Sequence, residues 1–106
     1  MAKYKIIIDP DAFQMLDKHL IFLAKVSTKS SHSLREAFFK TVKSLDTNPQ
    51  RYPLWLPKLE LAHPYHKVLI KKRYLLLFYI DSNNVRVDYL LDCRMDSRKI
   101  FSEILV

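Results

Sequence analysis

The chain has 106 residues, 49% of them hydrophobic, and 18 Lys and Arg against 11 Asp and Glu give it a net charge of +7. That length suits a single domain over residues 1–106, and the charge favours polyanions or an acidic protein as partner. Glycine is absent, which excludes glycine-rich phosphate loops and dinucleotide fingerprints, and a single cysteine excludes an intramolecular disulfide, in keeping with a reducing compartment.

Lys3 to Ile8 reads as a short strand, Tyr4-Lys5-Ile6-Ile7-Ile8 being β-branched or aromatic apart from one lysine. Asp9-Pro10 follows, a capping side chain and then a proline at the first helical position. Phe13, Leu16, Leu20 and Leu23 recur at helical spacing, so the first helix should run to about Val26 with these residues as its apolar stripe. Ser27 to Ser33 reads as a connection. Ser33-Leu34-Arg35-Glu36 fits a capping box, and Leu34, Phe38, Val42 and Leu45 form the stripe of a second helix, antiparallel to the first.

Asn48-Pro49 ends that helix, because a residue before proline is pushed out of helical geometry. Four prolines interleaved with Tyr52, Trp55 and Leu56 then suggest an ordered loop pinned by its aromatics. Three strand-like runs follow: Tyr65 to Lys71, Tyr74 to Asp81 and Val85 to Leu91. Asn83 and Asn84 offer left-handed backbone for the last hairpin. The middle run is apolar on both faces and should be central, while Val85, Val87, Tyr89 and Leu91 should share one face of the last strand. Ser97 to Leu105 fits a short terminal helix. The expected class is α+β: an N-terminal strand and a two-helix hairpin packed on an antiparallel sheet of about four strands. No apolar run approaches the roughly 20 residues of a membrane-spanning helix, and no secretory signal precedes Ile6, so a cytoplasmic protein without a membrane partner is expected.

Asn48-Pro49-Gln50-Arg51-Tyr52-Pro53, Arg73-Tyr74-Leu75-Leu76-Leu77-Phe78-Tyr79-Ile80-Asp81 and Asp92-Cys93-Arg94-Met95-Asp96 occur in this order along the chain. They resemble the NPxRYP turn, the central strand and the strand-closing DxRxD of the RelE/ParE superfamily of bacterial type II toxins. The resemblance implies a growth-inhibiting toxin neutralised by a cognate antitoxin, with operator DNA contacted only through that antitoxin. RelE-like members cut ribosome-bound messenger RNA without a metal; ParE-like members poison DNA gyrase. A third possibility is a degenerate toxin that binds its antitoxin and co-regulates the operon.

In the family, functional cations gather where the last strand opens onto the concave face of the sheet. The resemblance therefore singles out Arg94, with Asp92 and Asp96 fixing its guanidinium, against the plainer reading of a surface ion-pair network. His66 and Lys67 are candidate catalytic groups, although strand alternation puts them on opposite faces. Lys71, Lys72, Arg73 and Arg98 are candidate target-binding cations. Leu75 stands where RelE-like nucleases place an arginine, and Phe101 where some place a tyrosine; neither can bind phosphate or move a proton. A ParE-like or other non-RelE mechanism is favoured on that ground. His63 and His66 without further ligands make no metal site, no cofactor is implied, and Cys93 is expected to be buried and inert.

Overall fold

A computed structural model describes residues 3–57 and 61–93. Strand β1 (Lys5–Ile8) leads into helices α1 (Pro10–Ala24) and α2 (Thr28–Ser44); a 3-10 turn (Pro49–Arg51) and the proline loop follow, then β2 (His66–Ile70), β3 (Tyr74–Asp81) and β4 (Asn84–Asp92). The sheet order is β1-β4-β3-β2. Strands β2, β3 and β4 form the expected antiparallel meander, and β1 joins parallel to β4, making the sheet mixed. The helical hairpin carries the chain across the sheet between β1 and the meander, which leaves room for parallel pairing.

The Asp9 side chain accepts the Asp11 amide at 2.8 Å, as expected of the cap. Helix α1 buries Ala12 and Leu16, with Met15, Leu20 and Leu23 packed against the core. Phe13 does not belong to that stripe: it is 40% exposed and lies beside Phe39 of α2 at a ring distance of 6.5 Å. The expected connection over Ser27 to Ser33 is far shorter. Ser27 is extended (φ −157°, ψ 115°) and its hydroxyl accepts the Ser30 amide, so α2 begins at Thr28 and not after Ser33. The Ser31 hydroxyl donates to the Leu20 carbonyl at 2.9 Å and ties the two helices together. Leu34, Phe38, Val42 and Leu45 are buried as expected.

At the end of α2 Asn48 is left-handed (φ 48°), taking the conformation a glycine would normally supply. Arg51 folds back so that its guanidinium donates to the Thr47 carbonyl at 2.5 Å and the Asn48 carbonyl at 3.0 Å. Its place in the Asn48 to Pro53 motif is thus explained by capping the chain just beyond the helix. Lys71 and Lys72 form the β2–β3 loop with φ of 55° and 57°, two positive values in succession, as a tight hairpin requires. In the β3–β4 turn the left-handed residue is Ser82 (φ 54°), not either of the asparagines.

The register of β3 against β4 shifts between Leu77 and Phe78, which pair with Tyr89 and Val87 respectively and leave Asp88 as an extra residue. This bulge breaks the expected alternation. Val85, Val87 and Leu90 join the core under the helices, whereas Leu91 and Tyr89 pack on the opposite face with Leu77, Tyr65 and Trp55. The proline loop runs along the outer edge of β2, where Trp55 and Tyr65 are bonded at 2.8 Å and the Lys67 amide donates to the Pro53 carbonyl at 3.0 Å. Among the described residues no helix is long and apolar enough to cross a membrane.

Candidate functional site

The face of the sheet turned away from the helices is the candidate site. Tyr74, Leu76 and Phe78 of β3 lie in the core under the helices, so alternation points Leu75, Leu77 and Tyr79 to this free face. By the same rule Lys67 and Leu69 of β2, opposite Leu77 and Leu75, share it. The proline loop adds His63 and Tyr65. The His63 ring stacks on Tyr79 at 3.9 Å with the planes 2° apart, and Tyr65 stands edge-on to Tyr79 and to Tyr89, each at 5.6 Å. Beneath them the Tyr65 hydroxyl donates to Asp88 Oδ2 at 2.5 Å. The bulge sets that bond up: Asp88 is the unpaired residue of β4.

Burial raises the Tyr65 phenol far above its ordinary value, and the hydrogen bond to the Asp88 carboxylate raises it further. Tyr79 and Tyr89 are raised too, first by burial and then by the charge of Asp88. Asp88 itself is raised by burial, the Tyr65 bond pulling the other way. At neutral pH all three phenols therefore keep their protons, and as donors they cannot serve as bases. The centre of the described part of this face is aromatic and aliphatic around Asp88, with Lys67 at one edge and Arg86, opposite Tyr79 and 3.3 Å from Asp81, at the other.

The residues proposed from sequence do not converge. His66 lies on the helix side, its ring stacked on Phe78 at 5.2 Å and its Nδ1 2.8 Å from the Tyr52 carbonyl. Lys67 is exposed on the free face. The alternation that separates the two was readable from sequence; the loop carbonyl that engages His66 was not. Lys71 and Lys72 are exposed in the hairpin loop. Arg73 is mostly covered: its Nη2 lies 3.2 Å from Asp92 Oδ2 and its guanidinium 5.0 Å from the Tyr74 ring centre. Arg94, Asp96, Arg98, Phe101 and the expected terminal helix lie outside the described residues.

Cys93 is exposed, contrary to the expectation of burial, because it follows the last paired residue of β4. Partial burial of the thiol and then the Asp92 charge push its pKa up, which disfavours the thiolate. His63 and His66 face opposite sides of the sheet, and among the described residues no three His, Cys, Asp or Glu side chains gather closely enough to hold a metal. The Tyr65–Asp88 pair had one sequence signal, a carboxylate inside an otherwise strand-like run. Its partner, 23 residues away in sequence, had none.

No protein-family model matches the chain, and no curated protein does. A solved structure is similar: a chain from the chromosomal ParDE TA (toxin–antitoxin) system of P. aeruginosa superposes with a TM-score of 0.67 at 8% sequence identity, over 85% of this chain and 96% of that one. The resemblance seen in the three sequence motifs therefore extends to the architecture, and the chain has a RelE/ParE-type fold.

Proposed function

We propose that this protein is the toxin of a type II toxin–antitoxin pair and that it acts by binding its target, DNA gyrase, and not by cutting RNA. The observation that carries this reading is Leu75. It stands on the free face, opposite Leu69 on one side and Leu91 on the other, where a nuclease of this fold would present a phosphate-binding arginine. Three protonated phenols and an aliphatic patch suit a protein contact better than a developing phosphate charge, which needs cations and a base.

A second surface suits the antitoxin. Ile21 and Phe22 of α1 are 62% and 56% exposed, Phe13 and Phe39 form an exposed aromatic pair, and the chain as a whole is strongly basic. An acidic amphipathic segment would cover the apolar residues and pair with the cations around them. A supercoiling assay with purified gyrase tests the target: inhibition by this protein, relieved by the cognate antitoxin, is expected. Unimpaired supercoiling at a large excess of protein would reject gyrase as the target.

The competing reading is a ribosome-dependent nuclease, favoured by Lys67, an exposed cation on the free face. Lys67, with Arg94 beyond the described residues, would then contact phosphate.

A further inference from the structure

On the helix side of the sheet, where the turn between α1 and α2 meets the β2–β3 loop, lies a cavity of about 340 Å³. Its polar wall is made by Lys29, Ser30, Ser33, Lys71 and Arg73. Three cations and two hydroxyls meet there; Arg73 is paired with Asp92 at 3.2 Å, and no carboxylate is among the described lining residues. Lys29 and Ser30 belong to the first turn of the 17-residue α2, so the positive end of the helix dipole adds to the same field. Neither Lys29 nor Lys71 is in an ion pair among the described residues.

Tyr74 also forms part of the wall; it is only 2% exposed, and the Arg73 guanidinium lies 5.0 Å from its ring centre. Burial raises the Tyr74 pKa, outweighing the opposite pull of Arg73, and so keeps the hydroxyl protonated as a donor. Leu23 and Leu34 complete the wall with apolar surface.

We propose that this cavity is a phosphate-binding site, in which Lys29 and Lys71 neutralise a phosphate group, Arg73 contributes from its pairing with Asp92, and Ser30 and Ser33 donate hydrogen bonds to the phosphate oxygens. The group is either free phosphate or the phosphate of a small phosphomonoester whose organic part lies against Leu23 and Leu34; the volume is at the lower end for small-molecule pockets. The site lies across the sheet from the free face and does not depend on the toxin reading.

The test is a titration of the ¹⁵N-labelled full chain with inorganic phosphate, with adenosine monophosphate, and with sodium chloride at matched ionic strength. Saturable shifts of the Lys29, Ser30, Ser33 and Lys71 amides with a phosphate ligand but not with chloride are expected. Lys29→Ala and Lys71→Ala should each weaken binding by about tenfold, the loss of one charge-assisted hydrogen bond. Tighter binding of adenosine monophosphate than of phosphate assigns the site to a phosphomonoester; equal binding assigns it to the free ion. Shifts that match the chloride control, or affinities unchanged in both lysine variants, overturn the proposal.

Discussion

The two faces of the sheet are built on different terms. Under the helices, Leu34, Phe38, Leu76, Phe78, Val85, Val87 and Leu90 are buried and apolar. Among the described residues of the free face, only Tyr65, Leu77 and Leu91 are buried in its cluster; around them stand half-covered aromatics, a hydrogen-bonded carboxylate and the edge of a proline loop. The first face gains its stability from apolar area removed from water, which places few demands on geometry. The second depends on a bulge, one short hydrogen bond and a loop held by backbone contacts. Its chemistry is correspondingly specific, which suits the target contact proposed for it.

Truncation should separate the two faces most clearly. Phe38→Ala empties a fully buried position and should cost about 3–5 kcal/mol in denaturant unfolding, enough to threaten folding at 37 °C. Leu69→Ala, an exposed residue on the free face, should change stability by less than about 0.5 kcal/mol. A large loss at Leu69 would mean that the free face supports the fold as the core does.

The Tyr65–Asp88 pair sharpens the comparison through pH. The folded state raises the Asp88 pKa, so just above the ordinary carboxylate value it binds more protons than the unfolded chain. Its contribution to stability is greatest when the carboxyl is protonated and falls as pH rises through the folded pKa. Asp88→Asn keeps an oxygen to accept the Tyr65 hydroxyl and loses this dependence. Its melting temperature relative to the parent should therefore rise between the ordinary carboxylate range and neutral pH. A pH-independent difference would remove burial as the cause.

The smallest effect concerns the start of α2. Ser27→Ala should cost about 1 kcal/mol, the usual value of an N-cap, and Ser33→Ala, one turn into the helix, far less. The reverse order would restore the capping box at Ser33.

That last pair shows where the sequence was readable. Periodicity located both helices, and the apolar stripe of α2 was read residue for residue. It did not separate two serine caps six residues apart, because a polar first turn is compatible with either helix or loop. The meander was legible from its alternation, yet the bulge at Asp88 was not, and so Tyr89 and Leu91 were assigned to the wrong face. Nothing in one strand records how its neighbour slips against it. The parallel pairing of β1 was hidden for the same reason. At the candidate site, the separation of His66 from Lys67 and the apolar character of Leu75 followed from the residues themselves. The Tyr65–Asp88 bond and the cavity between Lys29 and Lys71 are tertiary, joining segments more than 20 residues apart.

The central claim is that the free face binds a protein target and does not cleave RNA. Primer extension on a defined messenger in a purified translation system, with and without the protein, tests it most directly. The account predicts a messenger left intact at protein concentrations that inhibit gyrase; cuts within ribosome-bound codons would contradict it and return the search for a catalytic set to Lys67 and Arg94.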